Sequence, residues 1–263
     1  MPLAPVFIWN AGARLDPLYD AEDASQLDVN LQGASASIPI IIPPGAVLGE
    51  ITATPGLYGL YNDTLSDGSN TARMINRYRT SVLGAAGAAG VITWVGGEWG
   101  VGAYSPNAAP AFKSGDFDLA RIIGLDANGV ADMYGRIIEG AVGTNESDSF
   151  AQTGGTGTWI LNIPAMTVSG VSYPAFSLTG LLALSTAAQL ATAINNGLLA
   201  NGIPAYVVAT GGALGTSPIV VVWHGVYGNT PIVAVVDNTG MSGGTVVNTR
   251  TAGTVSKGVI RFG

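Results

Sequence analysis

The sequence has 263 residues, no cysteine and a single histidine. Without cysteine there is no disulfide framework, no thiolate metal site and no cysteine nucleophile. A zinc site built on His224 would need carboxylates to complete it, and none stands near it in sequence. Charge is scarce as well. Asp, Glu, Lys and Arg make up 10% of the chain, against about 25% in an average soluble protein. Ten Lys and Arg face 17 Asp and Glu, for a net charge of −7. There is no basic cluster, which argues against nucleic acid and anionic membranes as partners. Between Asp148 and Asp237, 88 residues pass without one charged side chain. A domain surface normally mixes both signs of charge, so a surface of Ser, Thr, Asn and Gly suits a unit mounted on a larger assembly. Long apolar runs are also missing. The stretch Ser177 to Pro204 is uncharged but holds Gln189, Asn195, Asn196 and Gly197, which makes it a poor membrane span. Residues 1–10 lack the basic start and long apolar core of a secretory signal.

What is present favours strands. Val, Ile and Thr are common, and 38 glycines supply turns. The expected class is mainly β (α+β), in three regions. Residues 1–33 form an extended N-terminal arm with Asp16, Asp20, Glu22, Asp23 and Asp28 against Arg14. Its apolar pieces are Pro5-Val6-Phe7-Ile8-Trp9 and the alternating run that places Leu27, Val29 and Leu31 on one face. That run fits either a first strand of the chain's own sheet or a strand added to a partner's sheet edge.

Residues 34–142 form the second, β-rich region. Strands are expected at Ile38–Ile42, Val47–Ala53, Leu57–Tyr61, Arg73–Leu83, Val91–Trp94, Glu98–Tyr104, Ala111–Lys113 and Arg136–Glu139. Turn residues divide them. Ala85 to Gly90 reads as a loop, and short helices are expected within 118–124 and 127–133. Residues 143–157 are small and polar and read as a linker. Residues 158–263 form a small uncharged α+β domain with one helix on a sheet. Ser185 is its expected N-cap, and Ala187, Leu190, Ala191 and Ile194 share a face. Strands follow at Ala205–Ala209, Ile219–Trp223, Ile232–Val236, Thr245–Asn248 and Val259–Phe262.

Chemistry is hard to find. Gly240-Met241-Ser242-Gly243-Gly244 fits G-x-S-x-G, with His224 and Asp237 nearby. The hydrolase elbow needs a helix after the serine, but Thr245-Val246-Val247 is strand chemistry, and the chain order is wrong. Asn62 to Gly68 has calcium-loop residue types without the ligand register or terminal Glu, so a turn is expected. Asp116 with Asp118, and Asp126 with Asp132, are carboxylate pairs without the aromatic setting of a sugar cleft. No catalytic residue, metal ligand or cofactor is expected, and the chain reads as a structural protein rather than an enzyme.

The second region does resemble a known family. Ile42-Pro43-Pro44-Gly45-Ala46-Val47-Leu48-Gly49-Glu50-Ile51-Thr52 is similar to the opening strand of the head decoration proteins of tailed bacteriophages, of the lambda protein D type. Leu57-Tyr58-Gly59-Leu60-Tyr61-Asn62, then Asp67-Gly68-Ser69-Asn70-Thr71-Ala72, resembles the next stretch. Ala111 to Phe117 resembles a later strand and turn. Residues 158–263 resemble a different module of phage structural proteins, through Ser185–Asn196, Val207 to Gly212 and Gly228-Asn229-Thr230-Pro231. The resemblance implies a virion protein made in the host cytoplasm and bound to the outer surface of a capsid. Its partners would be the major capsid protein and itself, as a homotrimer at threefold sites. It further implies an N-terminal arm that pairs with capsid strands, which here points to Phe7, Ile8, Trp9, Leu27, Val29 and Leu31. The region from 143 onward exceeds the family's length. A second reading is a tail or fibre-like adhesin binding neutral host glycans through residues 158–263.

Overall fold

The computed structural model describes residues 26–32, 38–76, 79–82, 84–86, 92–94, 100–104, 116–133 and 135–261. The chain is mostly β, as its composition leads one to expect. Its first part runs through β1 (Gln26–Leu31), β2 (Ile40–Ile42), β3 (Val47–Glu50), β4 (Leu57–Leu60) and β5 (Ala72–Ile75). Then come β6 (Thr80–Val82), β7 (Gly84–Ala86), β8 (Ile92–Trp94) and β9 (Gly100–Tyr104). Five of these strands close a barrel in the order β1-β4-β3-β5-β9. The closing strand is β1, parallel to β4 and antiparallel to β9. Its alternation has a plain cause: Val29 and Leu31 are buried in one cluster with Leu48, Tyr58 and Met74. The strand is thus a wall of the chain's own barrel rather than part of an extended arm. The loop expected from Ala85 is also revised at its start, because Gly84–Ala86 pairs with β8. Small side chains are no obstacle to a ladder made by the backbone.

After β10 (Asp116–Asp118) come a 3-10 turn at Leu119–Arg121, α1 (Ala127–Asp132) and β11 (Arg136–Ala141). Asp118 caps the turn by accepting from the Ala120 N–H, and Asp126 caps α1 by accepting from the Gly129 N–H. Asp132 accepts from the Ala72 N–H and ties α1 to the barrel.

The second part contains β12 (Ser147–Gln152), β13 (Thr156–Ile163), β14 (Met166–Val168), β15 (Val171–Tyr173), β16 (Phe176–Leu182) and α2 (Ala187–Ala200). It continues with β17 (Ala205–Gly211), β18 (Ile219–Gly225), β19 (Val235–Asp237), β20 (Met241–Ser242), β21 (Val246–Thr251) and β22 (Lys257–Arg261). One sheet has the order β17-β18-β12-β21 and the other β16-β13-β19. Between them lies a core that includes Phe150, Trp159, Leu161, Val221 and Trp223. Helix α2 buries Ala187, Leu190, Ile194 and Leu198 against β16 and β17. Its cap is Thr186 rather than Ser185. Thr186 Oγ1 accepts from the Gln189 N–H, and Gln189 Oε1 accepts from the Thr186 N–H. Gln189 stands three residues after Thr186, so only Thr186 completes this box. Ser185 is buried and donates to the Leu182 carbonyl.

Two boundaries differ from the sequence reading. The stretch read as a linker contains β12, a central strand between β18 and β21. Asp148 and Phe150 point inward from it, while Ser147, Ser149 and Ala151 alternate on the other face. One inward residue is a carboxylate, which disguised the period. The last strand, β22, also leaves the unit in which it was expected. It pairs with β10 and β11, and Ile260 is buried with Phe117, Leu119 and Met133. The α+β unit is therefore an insertion between β11 and β22.

The two crossings of this insertion run side by side. Gly143 N–H donates to Ser256 Oγ, Thr144 N–H to Thr254 Oγ1, and Thr254 N–H to the Thr144 carbonyl. At the base, Gly140 and Gly258 are register partners with φ of +98 and +107. A Cβ on Gly140 would collide with the Lys257 carbonyl, and one on Gly258 with the Glu139 carbonyl. Only glycine allows both the backbone angle and the close approach.

Candidate functional site

The inserted unit meets the barrel through the outer face of the β17-β18-β12-β21 sheet. Tyr206 on β17 and His224 on β18 are register partners, so their side chains leave the sheet on the same face. Their rings stack, with centroids 4.8 Å apart and planes 9° apart. Tyr206 OH reaches Asp63 Oδ1 at 3.5 Å, on the barrel just after β4. His224 Nδ1 faces Asn145 Nδ2 at 3.2 Å, in one of the crossings. An amide nitrogen can only donate, so Nδ1 accepts and the ring proton of neutral His224 sits on Nε2. Burial pushes the His224 imidazole below its ordinary value, while Asp63 and Asp126 pull the other way. The Tyr206 phenol is pushed up, first by burial and then by the same two carboxylates. Elsewhere along the junction, Tyr173 OH donates to the Ile41 carbonyl at 2.9 Å.

A shallow cleft of about 310 Å³ opens beside Tyr206, with Gln32, Leu60, Asn62, Leu65 and Asp67 on its other walls. Its loop contains the calcium-like residues, and two of them are used in local turns. Asn62 Oδ1 accepts from the Thr64 N–H and Asp67 Oδ1 from the Ser69 N–H, so each side chain closes its own turn. Among the described residues, no group of three His, Asp or Glu is placed to hold a metal ion.

The serine motif does not assemble. Ser242 pairs with Thr156 at one end of the inserted unit, while His224 stands by the crossings at the other. Asp237 Oδ1 accepts from the Thr239 N–H, and β21 rather than a helix follows the motif. Of the carboxylate pairs, Asp118 pairs with Arg121, Asp126 accepts from Tyr61 OH and Asp132 holds Ala72.

Two of the four charged side chains of the inserted unit, Glu146 and Asp148, are buried at its root. Glu146 is fully buried, receives the Arg250 guanidinium at both oxygens, and accepts from the Gly253 N–H at 2.7 Å. Asp148 accepts from Trp223 Nε1 and Asn248 Nδ2, each at 2.7 Å. Burial raises its carboxyl above the usual range, and these two hydrogen bonds oppose the rise. With their partners in place, these carboxylates act as structural ties.

Of the residues expected in the capsid-binding arm, Phe7, Ile8 and Trp9 lie outside the described residues. Val29 and Leu31 face the barrel core, and Leu27 is described through its backbone pairing with Ala103. Sequence reasoning missed the junction altogether. Tyr206 and Asp63 are 143 residues apart, and no local pattern links them. Among the described residues, no helix is long and apolar enough to cross a membrane. Comparisons with protein-family models, curated proteins and solved structures find no match to this chain.

Proposed function

We propose that the chain is a structural virion protein that decorates the outer surface of a bacteriophage head and cements it. The observation that carries this reading is the arrangement of the stretches resembling decoration proteins. They supply β3 and β4, the turn that leads into β5 and, at Asp116 and Phe117, the start of β10; β4, β3 and β5 are neighbours in one barrel. Asp67, Asp118, Asp126 and Asp132 of this body serve as caps and ties, which suits a protein that works by packing. The major capsid protein is the partner, and three copies gather at each threefold site. Repetition over many sites gives a shell-wide effect from modest single contacts. The decoration body is the barrel with β10, β11 and β22, and the α+β unit projects from it as an accessory domain.

The test is co-sedimentation with capsid shells, comparing the full chain with one lacking residues 1–25. That deletion spares β1 and so leaves the barrel closed. Binding of the full chain in threefold clusters, lost on deletion, supports the reading and the arm. Undiminished binding would remove the arm from it, and no binding by either chain would remove the capsid.

The reading as a glycan-binding adhesin draws on a different place. The end of the inserted unit away from the crossings exposes Leu182 and Leu184, both within the 88-residue run without a charged side chain, which suits a neutral ligand. A glycan array probed with the full chain decides it: clean binding to neutral sugars favours the adhesin.

A further inference from the structure

The only histidine of the chain stands where three parts meet. Its ring stacks on Tyr206 of the inserted unit, Tyr206 reaches Asp63 of the barrel, and His224 Nδ1 takes a hydrogen bond from Asn145 of a crossing. We propose that the Tyr206–His224 stack is a proton-operated latch: with His224 neutral it holds the inserted unit on the barrel, and a proton taken up by His224 releases it.

The geometry dictates where that proton goes. Nε2 already carries one, so the second binds Nδ1. This abolishes the acceptor that Asn145 uses and sets two N–H groups against each other. Asn145 cannot easily retreat, because the next residue is anchored. Glu146 N–H donates to the Gly228 carbonyl, and the Glu146 carbonyl accepts from the Trp223 N–H. The charged and titratable groups facing the ring are Tyr206 from β17 and Asp63 and Asp126 from the barrel. Glu146, the residue after Asn145, is committed to Arg250. Asp63 and Asp126 favour the imidazolium but do not outweigh burial, so the latch holds at neutral pH and yields below the ordinary imidazole value of about 6.5. A charged ring seeks water, and leaving the stack frees Tyr206 from Asp63.

With one histidine, the titration is unambiguous. Proton NMR of the full chain follows the imidazole, and hydrogen–deuterium exchange follows segments 61–66 and 204–210. Exchange is compared at pH 7.5 and 5.0 after correction for intrinsic chemistry. The expected result is a midpoint below about 6.5, with protection of both segments falling on the order of tenfold through it. His224→Gln keeps a neutral side chain and loses this pH dependence. Asn145→Asp offers a carboxylate to the Nδ1 proton, raises the midpoint by about one unit or more, and keeps the junction protected at pH 5.0. Equal protection of the native chain at both pH values overturns the proposal. So does a fall that persists in His224→Gln. If that variant does not fold, an unmoved midpoint in Asn145→Asp is sufficient to reject it.

Discussion

Asn195 on α2 and Val207 on β17 exchange two hydrogen bonds. Val207 N–H donates to Asn195 Oδ1 at 2.7 Å, and Asn195 Nδ2 donates to the Val207 carbonyl at 3.2 Å. The carboxamide thus stands in for the peptide group of a neighbouring strand. At the other edge of the same sheet, Asn238 does this for Val246, at 2.7 and 3.0 Å. Edge strands are commonly guarded by lysine or other charges. The 88-residue run that contains β17 carries none, and Asn195 occupies that edge; Asn238 plays the same part at β21, the strand that bears Arg250.

Asn195→Ala and Asn238→Ala should each destabilise the chain by about 1–2 kcal/mol, since two backbone groups lose their partners. Each should also cause concentration-dependent association through the opened edge. Urea unfolding measures the first effect and sedimentation velocity the second.

Arg250→Met should be among the most damaging single changes in the inserted unit. It leaves the fully buried Glu146 carboxylate with only the Gly253 N–H. Arg250 itself is partly exposed, so the loss is set by the buried carboxylate left short of its charged hydrogen bonds, about 2–3 kcal/mol. The double variant Glu146→Gln with Arg250→Met should recover part of this loss in urea unfolding at pH 7.

Gly140→Ala places a methyl group against the Lys257 carbonyl at a backbone angle that L side chains rarely adopt. A loss of about 2 kcal/mol or more is expected. Gly154→Ala is the control, because its φ is also positive but nothing lies near its Cβ position. It should cost clearly less in the same thermal melts.

Replacing residues 145–253 with a two-residue Asn-Gly turn should leave a folded barrel. The crossings already pair like the arms of a hairpin, and Asn-Gly suits such a closure. The shortened chain should show cooperative unfolding and a β circular dichroism spectrum. Its Tm should fall, because Ile41 and Ile123 lose the core against which they pack.

Much of the fold was legible where side-chain pattern and backbone state agree. The strands at Ile40–Ile42, Val47–Glu50, Leu57–Leu60 and Gly100–Tyr104 fall inside expected ones, because alternation and turn glycines bracket them. The helix was readable from Leu190 and Ile194, although its cap lay one residue later. Residues 147–152 were hidden because the inward positions of β12 include Asp148, whose partners Trp223 and Asn248 are 75 and 100 residues away. The placement of β22 was hidden because pairing with β10 and β11 depends on where the chain returns, which its apolar residues do not encode. The junction at Tyr206 and His224 likewise exists only through register.

The double crossing at the insertion has a consequence for proteolysis. A domain strung on a single tether is shed by one cut. Here a nick in either crossing leaves the α+β unit covalently joined through the other, and Gly143–Ser256 and Thr144–Thr254 still bridge the wound. Shedding requires two independent cleavages, so the appendage should outlast protease exposures that strip singly tethered domains from a surface.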